Sequence, residues 1–324
     1  MTGSAGMLGS SVYPAFVAAG HDVVATDLEP RPFPGLPMGL LDVRDEAAVE
    51  RAISQIGPDL VVHMAAETNL EKCELDPEHA RRTNVIGTEN VARAAVAAGA
   101  TLVYISTAGI FDGAKEDAYT EADTPHPLSV YGATKLEGED VVRRLAPRHF
   151  VVRAGWMVGG LERDHKFVGK VMNQIRDGAT EIRAVVDRLG VPTVADEFAH
   201  NLLALVETDA YGLYHMTCRG SGSRYDVAEA IVRHLGRPDI RVTPVGSDYF
   251  SEAFFAPRPR SEILVNAALE RIGLNRMSHW RVALEAYLDR YLETMPDAAD
   301  PAPPLDRRPD GRPLAAEADG ELAG

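Results

Sequence analysis

The chain has 324 residues and a formal net charge of −15, so it can bury a large core in one domain or in one domain with a smaller lobe. Its isoelectric point near 5.1 argues against a nucleic-acid binder, which needs a basic face. Cys73 and Cys218 suggest neither a disulfide framework nor a metal site, the histidines lack metal-ligand spacing, and no apolar run or signal segment directs the chain to a membrane. A cytoplasmic protein with no bound metal is expected.

The first nine residues, MTGSAGMLG, space Gly3, Gly6 and Gly9 three apart. Such a turn, with Met7 and Leu8 between its glycines, brings backbone N–H groups to a pyrophosphate at a helix N-terminus. A dinucleotide turn should follow a buried strand, yet only two residues precede Gly3. The expectation is that the first strand is missing from the chain as given and that the native start lies upstream. The strands carrying Val23–Thr26 and Val61–Met64 would then flank an empty slot, with poor solubility or weak coenzyme binding.

A helix to about Ala19 follows, stopped by Gly20, with Pro14 awkward inside it. HDVVATD reads as a strand ending in Asp27, roughly twenty residues beyond the glycines, where a carboxylate binds the adenosine ribose hydroxyls. An acid there repels a 2′-phosphate, so NAD is favoured, with NADP as the other coenzyme. After the proline-rich loop 30–37 come a short strand, MGLLDV, a helix from Glu46 to Ile56, and the strand and loop PDLVVHMAAET. In that loop, small Ala65 and Ala66 let a coenzyme lie against backbone. A long helical stretch from Asp76 is stopped by Gly99.

TLVYIST has the composition of a buried parallel strand, and YGATKLEGEDVVRRL that of a helix. On that helix Tyr131 and Lys135, four apart, share a face. The Lys135 ammonium is expected to draw the Tyr131 phenol below its usual pKa, making it a proton donor, while Thr107 hydrogen-bonds the oxygen that receives the proton. The alternation of strands and helices through Lys135 predicts an α/β fold with a doubly wound parallel sheet.

The glycine turn, the strand ending in Ser-Thr, FDG, and YTE-x-D-x-P-x-PL-x-VYG-x-TKLEGE together resemble an extended short-chain dehydrogenase/reductase. More narrowly they resemble the dTDP-4-dehydrorhamnose reductase group, over residues 2 to about 291. The resemblance implies a Rossmann-type region over 1–155 and a mainly substrate-binding lobe over 156–295; the Pro- and Asp-rich segment 296–324 reads as a disordered tail. It implies that Asp42 and Val43 contact adenine, that Asn84 braces the active-site strand, and that Trp156 packs beside the sugar. Lys166 or Lys170, with Arg258 in a segment like RP-x-x-S-x-L, would meet a nucleotide diphosphate, and Asp196 would be a capping or hinge residue. The implied reaction is NAD(P)H-dependent reduction of a nucleotide-linked 4-keto sugar, and a homodimer is compatible with it. One departure bears on the substrate: where the reductases read Asp-Tyr after ST, this chain has Ala108 and Gly109. Two other readings stay open on the same scaffold, an epimerase or dehydratase with retained NAD and a non-catalytic NAD(P)-binding subunit.

Overall fold

The computed structural model describes residues 1–294; the predicted tail lies outside them. Its centre is a parallel sheet whose strands run Met38–Leu40, Ala25–Asp27, Leu60–His63, Thr101–Thr107, His149–Ala154 and Gly212–Met216 across the sheet. Between Ala25–Asp27 and Leu60–His63 lies Thr2, bridged in parallel to Thr26 on one side and His63 on the other. Counting that segment first, the order is the doubly wound one, with its reversal at Thr2.

The slot between these two strands is therefore filled at its C-terminal end. Thr2 N–H donates to Val62 O at 3.0 Å, Met64 N–H donates to Thr2 O at 3.1 Å, and Thr26 N–H donates to Met1 O at 2.9 Å. The glycine turn is tethered to both neighbours by these bonds.

The central strands are buried on both faces, and their side chains alternate between two layers. Val62, Val103, Phe150 and Val152 face one layer, packed with Val12 and Phe16 and with Phe198, Leu202, Leu284 and Leu288. Val61, Leu102, Tyr104 and Val151 face the other, against Val49, Ile53, Val91, Val141 and Val142. Each fully buried side chain of this kind contributes about 1.5–3 kcal/mol. The helix Glu46–Ile56 has the predicted bounds: Asp45 caps its first turn and Gly57, left-handed at φ 58°, ends it.

The expected helical stretch from Asp76 to Gly99 is continuous over 77–97, with a π-turn inside it. Pro77–Arg81 passes into a π-helical turn, Arg82–Ile86, before Gly87–Ala97. Such turns re-aim side chains at functional sites, and here it buries Asn84. Pro14 lies inside the helix Gly9–Ala18. Asp196 does not cap the helix Ala195–Val206; Val194 occupies that position, and Asp196 pairs with Arg290.

Beyond the sheet, short strand pairs build the second lobe. Trp156–Val158 pairs with Pro192–Val194, and Glu181–Val185 with Arg241–Val245. Leu189–Gly190 lies between Gly222–Ser223 and Ser261–Glu262. The lobe is tied to the sheet by Gly113 of the FDG turn, whose absent Cβ would stand 2.6 Å from Ser261 N.

Candidate active site

The strand Thr101–Thr107 delivers Thr107 to the C-terminal edge of the sheet, where its Oγ1 accepts the Gly109 N–H at 3.1 Å. Ser129 caps the helix Val130–Leu145 by accepting the Gly132 N–H at 3.1 Å. A Cβ on Gly132 would stand 2.2 Å from Gly109 O, so only glycine lets the helix start lie against the turn after Thr107. Tyr131 thereby comes near Thr107, whose hydroxyl acts to lower the phenol's pKa. One turn on, Lys135 is 3% exposed, with Nζ 4.0 Å from the Tyr104 ring centre, a cation–π contact.

The charge balance differs from the expected one. Burial pushes the Tyr131 phenol up to about 12, more than the Thr107 hydroxyl lowers it. Burial likewise pulls Lys135 down to about 7, against the attraction of Glu139. Lys135 is turned to the Tyr104 ring, and desolvation outweighs any help it gives the phenolate. Tyr131 therefore carries its proton at neutral pH.

Beneath these groups is a polar layer that the sequence reading did not identify. Glu139 and Arg153, 0% and 1% exposed, form a two-pronged pair at 2.9 and 2.8 Å, and Ser106 Oγ donates to Glu139 at 2.6 Å. The available signals were Glu139 four residues after Lys135 and a lone arginine in the apolar strand HFVVRA. Asn84 ties the loop after Leu60–His63 to the catalytic helix: its Oδ1 accepts the Glu67 N–H at 2.8 Å, and its Nδ2 donates to Thr134 at 3.0 Å. His63 links Thr2 Oγ1, at 2.7 Å, to Thr88 Oγ1, at 3.1 Å. Since Thr88 gives its proton to Asn84 O, it accepts from His63 Nε2, leaving Nδ1 to accept from Thr2.

The glycine turn fits a dinucleotide. A Cβ on Gly3 would stand 2.5 Å from Ala65 N, and one on Gly9 would stand 2.5 Å from Ser4 O, so the backbone is packed at the point where the sheet order reverses. No side chain caps the helix Gly9–Ala18 and no acid lies in its first turn, which leaves that N-terminus to an anion. Asp27 ends its strand beside the turn, accepting the Ala5 N–H at 2.9 Å and the Glu29 N–H at 3.1 Å. Ala65 and Ala66 are half-buried next to it, and Met7 faces the loop at Gly160. Asp42 is held by Arg44, at 2.7 Å. Val43 is turned inward: its side chain faces Gly87 and its carbonyl accepts from Asn90 at 3.0 Å. That side chain is part of the core.

Trp156 lies against Gly190, where a Cβ would meet the indole at 2.3 Å. Its Nε1–H donates to Glu262 at 2.7 Å, and the Arg224 guanidinium stacks 3.8 Å from its ring. Lys166 Nζ reaches the Thr68 carbonyl and hydroxyl at 3.4 Å. Arg258 pairs with Glu71 at 2.7 Å. Burial lowers the pKa of Lys166 and of Arg224, with the charges of Lys170 and of Arg258 adding to it and those of Glu67 and of Glu262 opposing it, so cations and carboxylates are mixed here. Arg224 and Glu262 were missed because their partner, Trp156, is remote in sequence.

This geometry has close relatives. A dTDP-4-dehydrorhamnose reductase of Mycolicibacterium smegmatis is 32% identical over 94% of this chain and 89% of its own length. A dTDP-4-keto-6-deoxy-D-glucose reductase of Streptomyces niveus is 31% identical over 88% of this chain and 94% of its own. The crystal structure of dTDP-4-dehydrorhamnose reductase from Bacillus anthracis, in complex with NADP, superposes with a TM-score of 0.82 at 30% identity, covering 89% of this chain and 97% of that one. The family profile described as the RmlD substrate binding domain matches residues 1–293, and the chain belongs to that family.

Proposed function

We propose that the protein is an NAD(P)H-dependent reductase of a nucleotide-linked 4-keto sugar. What supports this reading is Thr107 at the end of the strand Thr101–Thr107, with Tyr131 and Lys135 one turn apart on the helix whose start lies against the turn after Thr107. When bound, the reduced nicotinamide supplies the hydride. Thr107 orients the carbonyl oxygen, and Tyr131, which holds its proton at neutral pH, donates it to that oxygen as negative charge develops. Lys135, with a pKa near 7, lies one turn away to steady the phenolate left behind and to hold the nicotinamide ribose. General acid catalysis by a positioned group is worth about 10²–10⁴-fold.

Arg224, Arg258 and Lys166 supply the positive side of the cleft for the diphosphate, and Trp156 offers an aromatic face to the sugar. Asp27 supports NADH over NADPH. A cytoplasmic setting suits Cys73 and Cys218, both free thiols. No helix among the described residues is long and apolar enough to cross a membrane. The deciding experiment follows loss of reduced-coenzyme absorbance with a panel of nucleotide 4-keto sugars. Turnover of at least one supports the reading, and binding of coenzyme without turnover of any sinks it.

A further inference from the structure

One acidic group in the cleft has no part in the reduction itself. Glu262 lies on the strand Ser261–Glu262, paired in parallel with Leu189–Gly190. Gly113 packs against that strand from one side, and Tyr119 N–H donates to Ile263 O at 2.8 Å. Its Oε2 accepts the Trp156 indole N–H, while Oε1 has no hydrogen-bond partner among the described residues. Oε1 lies 3.6 Å from the point where a Cβ on Gly109 would stand, and Thr107 Oγ1 lies 3.5 Å from the same point. The carboxylate and the catalytic hydroxyl thus border one small space, which exists because residue 109 has no side chain.

We infer that Glu262 is a specificity-determining residue that accepts a hydrogen bond from a donor group, hydroxyl or ammonium, carried on the sugar ring beside the carbonyl held by Thr107. The inference rests on the reductase reading above. Geometry favours a substrate contact over a purely structural one. The Trp156 bond occupies one oxygen and leaves the other beside the space that Thr107 Oγ1 also borders. The charge is felt there, since Glu262 acts to raise the Tyr131 pKa. Burial raises Glu262's own pKa, with Trp156, Arg224 and Arg258 opposing. Half-buried as it is, Oε1 loses its remaining water when a ligand fills the space, and a ligand that then leaves it without a partner is disfavoured.

The test is steady-state kinetics of the full chain with reduced coenzyme and three dTDP-linked 4-keto sugars. One bears a hydroxyl beside the carbonyl, one lacks it, and one bears an amino group there. The wild type is expected to lose about 10²-fold or more in kcat/KM on the deoxy sugar. Glu262→Ala should bring the hydroxyl and deoxy sugars to within about threefold of each other. Glu262→Gln keeps an acceptor for Trp156 but not the charge. A wild-type preference for the amino sugar that Gln abolishes identifies the donor as ammonium; near-normal turnover of the hydroxyl sugar by Gln identifies it as hydroxyl. Unchanged binding of dTDP and an unchanged Tm in both variants separate these effects from misfolding. The inference is overturned if Glu262→Ala discriminates as the wild type does, or loses activity on all sugars alike. A wild type that turns over none of them removes the reductase reading, and this inference with it.

Discussion

Tyr131 shows how one residue can be legible in sequence while its chemistry is not. Four-residue spacing put Tyr131 and Lys135 on one helical face, and the structure keeps them there. The direction of the pKa shift depended on burial and on the Tyr104 ring, neither of which spacing contains. Tyr131→Phe removes only the hydroxyl, so kcat should fall about 10²–10⁴-fold with coenzyme affinity retained; stopped-assay turnover and coenzyme titration measure the two. Lys135→Ala should impair both. At Asp27 the carboxylate is beside the turn, as its position in the sequence predicts. Asp27→Ala should narrow the ratio of NADH to NADPH affinity, read by fluorescence titration of the two coenzymes. A wild type that binds NADPH more tightly removes that role from Asp27.

Among the elements, the helix Val130–Leu145 was readable from its apolar face and from the serine before it, because capping and periodicity are local. Its closeness to the Ala108–Ile110 turn was not, because Gly132 meets Gly109 only in three dimensions. Gly132→Ala should push the helix start off that turn and separate Tyr131 from Thr107. Turnover is expected to fall at least about tenfold, with a stability loss of about 1–3 kcal/mol from overpacking, measured by urea denaturation. A variant with wild-type kcat would show that the contact does not position Tyr131. The π-turn at Arg82–Ile86 was equally unreadable. It arises where Asn84 must face Glu67 and Thr134 at once, and no local propensity announces that demand.

For the molecule as a whole, the buried histidines set the response to acid. Burial pulls His63 and His215 down to about 3, with the charge of Lys135 adding at His63 and that of Arg153 at His215. In the unfolded chain both protonate near 6.5. Between those values the unfolded state binds more protons, so the histidine contribution is full above about pH 6.5 and is lost as pH falls toward 3. Asp164, raised to about 6 by burial, works the other way between about pH 6 and 4 and offsets part of the loss. The Met1 ammonium, lowered to about 6 by burial, acts with the histidines, so stability should fall by at least about 2 kcal/mol from about pH 7 to about pH 5. Urea midpoints across that range should show it, and His63→Gln should flatten the slope. A flat wild-type profile would contradict the assignment.

The sequence by itself determined the alternation of strands and helices, the glycine turn, and the three residues Thr107, Tyr131 and Lys135. Each rests on spacing within one element or on composition along a short segment. Only the tertiary structure decided the rest. It placed Thr2 between two strands from later in the chain and paired Arg153 with Glu139 in the core. It also turned Val43 inward and set Glu262 against the space left by Gly109. These pairings join residues from different elements, one of them more than a hundred positions apart. A pattern read along the chain carries no information about which distant side chain will fill a buried space or neutralise a buried charge.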